Sequence, residues 1–187
     1  MTENLSSQLE KYLPPPVLAL AKIAGGEASE MWQELYLVGG VVRDLFLSRA
    51  NFDFDLVVEG DAISLARKLA KDSQAKLKIH SRFGTAKLNY PGFSLDLATA
   101  RSETYSKPGA LPTVKPGKLK DDLIRRDFSI NAMALCLMPH RFGELIDLYQ
   151  GKDDLEHRLI RILHPNSFID DATRILRAIR YEQRLGF

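Results

Sequence analysis

A mixed α and β fold is what the sequence predicts, on three observations. Apolar and polar residues alternate in several short runs, as in half-buried strands. Elsewhere the apolar residues recur at spacings of three and four, as on amphipathic helices. Pro165 then separates this mixed region from a last stretch that reads as helix alone. At 187 residues and 45% hydrophobic content, the chain can bury the core of one domain and the beginning of a second. The net charge of +2 means that any nucleic-acid affinity must come from local basic clusters. The single cysteine, Cys136, lies in the apolar run Ala132–Met138, which excludes an intrachain disulfide and predicts a buried thiol. The opening residues lack a secretory pattern, and no run of ~18 apolar residues occurs, so the expectation is a cytoplasmic protein with no membrane partner.

In chain order, a short helix over Leu5–Leu13 is stopped by Pro14-Pro15-Pro16, and a second over Val17–Ile23 is ended by Gly25-Gly26. Leu35–Val38 reads as a strand running into Gly39-Gly40, after which Val41, Val42, Leu45 and Phe46 recur at helical spacing. Glycines at such a junction let an anion reach the free amides of a helix start. Arg43 can aim a planar fork of donors at the same anion. A plain turn and a solvated Arg43–Asp44 pair account for the same residues.

Asp53 and Asp55 share one face of the next strand, with Phe54, Leu56 and Val58 on the other. Two carboxylates ~4 Å apart repel by about 4 kcal/mol at an effective dielectric near 20, and a cation between them removes that cost. Oxygen ligands of this kind suit Mg2+, although a hydrated strand start is the plainer reading. A helix over Ala62–Ala70 follows, then strands over Lys76–Ile79, Thr85–Asn89 and Phe93–Ala98. In the last, Asp96 stands opposite Phe93, Leu95 and Leu97, either as a third acid of a metal-dependent site or as a hydrogen-bonded edge aspartate. His80 has no second histidine at ligand spacing and reads as structural or solvated.

Arg101–Lys120, with four lysines, three prolines and two glycines, reads as a mobile basic loop. Asp121-Asp122 opens a predicted helix that carries Arg125, Arg126 and Asp127 and the apolar Ile130, Met133, Ala134 and Leu137. On that helix the two arginines point about 100° apart, so one of them at most faces a ligand, and Asn131 lies one turn beyond Asp127. A strand over Glu144–Tyr149 and a helix over Asp153–Arg158 precede Pro165. The last helix, Asp170–Arg180, has an apolar stripe of Ala172, Ile175, Leu176 and Ile179, with Arg174 and Arg177 across from it and Arg180 beside it. A solvated charged face explains that pattern by itself.

Six stretches together carry a resemblance: LVGGVVRD, FDFDLVVEGDA, LDLATAR, RRDFSINAMA, IDLYQGKDDL and DDATRILRAIR, in that order. Over Leu35–Phe187 the chain is similar to class II tRNA nucleotidyltransferases (CCA-adding enzymes) and bacterial poly(A) polymerases. The resemblance implies an α+β, polymerase-beta-like nucleotidyltransferase head with a central mixed β-sheet and flanking helices. It also implies a helical lead-in at 1–34, the head at 35–163 and the beginning of an all-helical neck at 164–187. It makes Asp53 and Asp55 ligands of Mg2+ and Asp96 the third acid. Gly39, Gly40, Arg43 and Arg126 become triphosphate-binding residues, Asp171 and Arg174 readers of the incoming base, and Arg177 and Arg180 further nucleotide contacts. The implied reaction is template-independent addition of CCA or the terminal A to the 3′ end of tRNA from CTP and ATP. A poly(A) polymerase and a small-molecule nucleotidyltransferase are the alternatives, and a basic segment of full length at Ser102–Lys120 weighs against an enzyme adding only CC. Asp170 stands where the family has glutamate, and the chain, ending early in the neck, reads as a fragment, or else as a protein whose RNA binding is weak.

Overall fold

The computed structural model of the protein describes residues 3–51, 53–71 and 73–187. Helices α1 (Ser6–Tyr12) and α2 (Pro15–Glu30) lead into strand β1 (Glu34–Val38), followed by α3 (Gly40–Phe46), β2 (Asp53–Glu59) and α4 (Ala62–Lys71). Strands β3 (Lys76–His80), β4 (Thr85–Tyr90) and β5 (Phe93–Thr99) come next, then a small hairpin of β6 (Arg101–Thr104) and β7 (Thr113–Pro116). Helix α5 (Leu119–Ile124), strands β8 (Met133–Cys136) and β9 (Leu145–Asp147), and helices α6 (Gly151–Glu156), α7 (Ser167–Asp170) and α8 (Thr173–Leu185) complete the chain.

The main sheet has seven strands in the order β3-β4-β5-β2-β1-β8-β9. Only the β2–β5 pairing is parallel, so the sheet is mixed, with helices against it. Alternation decides what each face carries. On one face Phe54, Leu56, Leu88, Leu95 and Leu97 are buried, and Leu65, Ala66 and Leu69 of α4 are buried on the same side of the core. The other face receives Asp53 and Asp55 from β2 and Asp96 from β5, with Asp55 directly opposite Asp96 in the register.

Four sequence expectations are corrected here. Where Gly25-Gly26 predicts a helix end, α2 continues to Glu30. Gly25 is needed for close packing: a Cβ there would lie 2.0 Å from the carbonyl oxygen of Leu137, whereas one at Gly26 meets nothing within 4 Å. Gly26→Ala is therefore expected to raise stability by about 0.5–1 kcal/mol through helix propensity. Gly25→Ala is expected to lower it by about 1–3 kcal/mol through overpacking, with both read from urea midpoints. The predicted basic loop contains the paired strands β6 and β7. The predicted helix from Asp121 through Leu137 ends at Ile124, and Met133–Cys136 is instead a strand between β1 and β9. A run that is apolar on every side offers no period to separate a buried strand from a helix.

The fourth correction concerns the last helix. The chain breaks at Asp171, and α8 begins at Thr173. Its arginine side turns inward: Arg174 is 4% exposed, while Leu176 of the apolar stripe is 71% exposed. The inward line Arg174, Ala178, Tyr181 and Leu185 meets the head, with Tyr181 edge-on to Phe128 at 5.8 Å between ring centroids. Among the described residues no helix is long and apolar enough to cross a membrane.

Candidate active site

Strand β1 delivers the chain to Gly39, whose φ of 76° is a conformation that side chains other than glycine's rarely adopt. A Cβ there would stand 3.0 Å from Nη1 of Arg126 and 3.8 Å from Oδ2 of Asp55, so the glycine also keeps open the corner between a cation and a carboxylate. Arg43 lies behind this corner instead of opening into it. Its side chain is buried, Nε and Nη2 donate to the Asp44 carboxylate at 2.8 and 2.9 Å, and Nη1 donates to Oδ1 of Asn131 at 2.6 Å. The ring of Tyr181 lies 5.3 Å from its guanidinium carbon. Neither a solvated pair nor a free fork for phosphate describes it: Arg43 braces the glycine turn.

Asn51 ties this brace to the acids, donating to Asp44 at 2.6 Å and accepting from the backbone amide of Asp53 at 2.8 Å. The Asp55 carboxyl is open to water on one side and enclosed by protein on the other. That enclosure pushes its pKa up to about 6, with the negative charges of Asp96 and Asp53 adding to the effect and Arg126 and Lys87 opposing it. Asp96 is engaged with Nζ of Lys87 at 2.6 Å. Among the described residues no group of three potential ligand side chains already encloses a metal position. The donor set nonetheless suits a hard divalent cation, because two acids share one strand face and a third stands beside them in the register.

Arg125 and Arg126 both reach the site, contrary to the single arginine that helical spacing predicts. Helix α5 has ended, so the 100° step does not apply, and both guanidiniums fold back on Asp122. Asp122 is fully buried and accepts from Arg125 at 2.6 and 3.0 Å and from Arg126 at 2.8 Å. Across the opening, Nη2 of Arg174 donates to the backbone carbonyl of Arg125 at 2.8 Å. Asp127 accepts from Asn131 at 3.0 Å and from Nε of Arg177 at 2.9 Å. Asp171 accepts from the amide and hydroxyl of Thr173 at 2.9 and 2.6 Å.

These groups surround a cavity of about 450 Å³ that includes Gly39, Gly40, Asp55, Arg126, Asp171, Arg174 and Arg177. Two guanidinium nitrogens, Nε of Arg126 and Nη1 of Arg174, are buried without a hydrogen-bond partner among the described residues. Buried donors of that kind call for an acceptor. Asp53, Asp96 and Arg180 do not line this cavity: Asp53 lies two residues from Asp55 on the same strand face, Asp96 is the register partner of Asp55, and Arg180 is exposed. Sequence reasoning missed Glu103 and Tyr105 as wall residues, since both fall in the segment read as a loop. Burial, together with the Glu103 carboxylate to which its hydroxyl donates at 3.0 Å, pushes the Tyr105 pKa up to about 12.

Residues 35–161 match the model of the poly A polymerase head domain. The chain belongs to that family. It is 46% identical over 180 residues to an A-adding tRNA nucleotidyltransferase of Geobacter sulfurreducens, covering 96% of this chain and 20% of that protein. It is 44% identical over 187 residues to the A-adding tRNA nucleotidyltransferase of Halalkalibacterium halodurans, covering 100% of this chain and 44% of that one. The Thermotoga maritima CCA-adding enzyme complexed with tRNA matches the head-domain fold with a TM-score of 0.87 at 43% identity, over 100% of this chain and 42% of that one. The chain thus spans less than half the length of these relatives.

Proposed function

We propose that this chain is the catalytic head, with the beginning of the neck, of an RNA nucleotidyltransferase that extends the 3′ end of tRNA with CCA or its terminal A. ATP and CTP are the substrates, Mg2+ is the cofactor, and the compartment is the cytoplasm, where tRNA is used. In this reading 1–34 is a lead-in, 35–163 the head and 164–187 the start of the neck. One observation carries it: Asp55, one of the two acids sharing a strand face, and Arg174, whose Nη1 is buried without a partner among the described residues, line a single cavity. In this reading the proposed reaction centre and the proposed base reader share one pocket. The relatives named for A and CCA addition support tRNA over the small-molecule and poly(A) alternatives.

Asp53 and Asp55 would hold Mg2+, which supplies a Lewis acid that makes a 3′-hydroxyl more acidic and offsets triphosphate charge. Gly39, Gly40 and Arg126 receive the phosphates, with Arg43 fixing the glycine turn from behind. The 3′ oxygen forms a bond to the α-phosphorus, the bond from that phosphorus to the bridging oxygen breaks, and pyrophosphate leaves in line. The hydroxyl proton passes to Asp96, the neighbouring carboxylate outside the cation pair. Positioning and fixed charge do most of this work. Asp171 accepts from an exocyclic amine while Arg174 donates to the adjacent ring nitrogen, a pairing that cytosine and adenine offer and uracil and guanine reverse. Arg177 borders the base, and Arg180 is left outside the proposed set.

Incubation of a version extended to the length of the relatives with tRNA ending in CC, or lacking CCA, with Mg2+ and each nucleotide separately, tests the reading by sequencing the products. A single added A, or CCA, is expected; long runs of A would indicate a poly(A) polymerase, and no addition despite ATP binding would overturn the catalytic reading. Asp171→Ala should reduce the preference for ATP and CTP over GTP and UTP by about 10–100-fold, equivalent to one or two buried hydrogen bonds. Binding of the triphosphate with Mg2+ should persist, and unchanged preference would remove Asp171 as a base reader.

A further inference from the structure

The polar face of the sheet continues beyond the carboxylates. Following the register from β2 outward, Asp55 stands beside Asp96, Asp96 beside Lys87, and Lys87 beside Lys78. Register partners project to the same side, so two acids and two lysines form one line across four strands. At ~4.8 Å per strand the line extends about 14 Å from Asp55 to Lys78. In the next rung His80 lies opposite Thr85. Helix α4 covers the reverse face, and on this side Lys78 and His80 are exposed.

A second cavity of about 430 Å³ follows this face, lined by Lys78, His80, Lys87, Asp96 and Arg101 among others. It meets the first cavity at Asp55, Arg125 and Arg126. In-line displacement places the attacking oxygen and the leaving group on opposite sides of the phosphorus. The first cavity has the arginines suited to triphosphate and base, so the strand that supplies the hydroxyl must approach from another flank of the same carboxylates. We propose that this cationic sheet face seats the terminal nucleotides of the accepting RNA strand, with Lys78 and Lys87 against its backbone phosphates. The proposal rests on reading the site as a nucleotidyltransferase centre.

Lysines on an edge strand also prevent unwanted strand pairing, which accounts for Lys76 and Lys78 on β3. It does not account for Lys87, because β4 is paired on both sides. The Lys87–Asp96 pair is itself half open, with the two side chains 39% and 45% exposed. A pair so exposed contributes little, so a phosphate can take the lysine at small cost, and Asp96 is released as the strand arrives. Lys87 thereby links occupation of the platform to the readiness of the third acid.

The test is binding of a fluorescein-labelled single-stranded RNA ending in CC to the 187-residue chain, by anisotropy over a salt series without nucleotide. ATP binding is measured separately without RNA. Lys78→Glu should weaken RNA binding about tenfold, and Lys78→Ala should flatten the logarithmic salt dependence by about 0.7, the contribution of one single-strand phosphate contact. ATP affinity should stay within about twofold in both variants. Lys71→Glu, the same charge change on α4 over the opposite face, should leave RNA binding intact. Unchanged RNA affinity in Lys78→Glu, an equal loss in Lys71→Glu, or no RNA binding by the unaltered chain would each overturn the platform. Absence of ATP binding in the unaltered chain would instead count against the nucleotidyltransferase reading, and a Lys78-dependent RNA signal would still support the platform.

Discussion

Asp122→Ala is expected to cost about 3–5 kcal/mol, which leaves a domain of ordinary stability close to unfolding at 37 °C. The carboxylate is fully buried and neutralises two guanidiniums at once, those of Arg125 and Arg126, which are only 20% and 17% exposed. Removing it leaves two cations facing each other with most of their water already stripped away. Breaking a buried pair by deleting one partner is costly for that reason, even where the intact pair contributes little net stability. Glu103 takes up part of the loss, since it already lies 3.3 Å from Nη1 of Arg125, but Arg126 has no such second acid within ion-pair distance among the described residues. Urea denaturation of the variant measures the effect. A loss below about 1 kcal/mol would show that the arginines find new partners. Asp122→Asn, which keeps the shape and drops the charge, should fall between the two.

Asp55→Asn is expected to move activity and stability in opposite directions. Without the second carboxylate the cation is poorly held, and transfer should fall by about a thousandfold, as when a main electrostatic element of a site is removed. In the metal-free chain the same change should be stabilising. The folded-state pKa of about 6 lies above the ordinary aspartate value, so ionised Asp55 opposes folding at neutral pH. The penalty is complete above about pH 6, shrinks as pH falls, and vanishes below about pH 4, where the group is protonated in both states. Because the carboxylate is open to water on one side, the gain at pH 7.5 is about 1 kcal/mol rather than the full converted shift. Thermal unfolding with a chelator across that pH range, and again with Mg2+, checks the sign. The unaltered chain should be the more stable of the two once Mg2+ is added, through preferential binding to the folded state.

The sequence was most legible where one period ruled. Asp53 and Asp55 could be placed on one face of a strand because Phe54, Leu56 and Val58 claimed the other, and the structure keeps that division. Gly39-Gly40 could be placed at a strand-to-helix junction because the apolar spacing changes there. Position in space was another matter. Asp96 became a neighbour of Asp55 only through a parallel pairing that joins residues some forty positions apart, which no local pattern encodes. Met133–Cys136 was opaque because every side of it is apolar. Helix α8 misled because its stripe, read as a core face, lies outward, while Arg174 and Arg177 point at Arg125 and Asp127. A helix that faces a polar pocket inverts the usual assignment of its two sides. Arg43 illustrates the remaining limit: its charge was readable, but its bond to Asn131, 88 residues away, was not.

The pairing of β2 with β5 has a consequence for how the protein is made. A slip of one residue between those strands would set Leu95 or Leu97 beside Asp55 and turn Asp96 toward the helix side. The same slip would force a carboxylate into the leucine layer, which the core rejects. Correct assembly and a competent reaction centre are therefore a single event: the greasy side of the sheet proofreads the acidic side, and molecules that pass folding carry their acids already aligned.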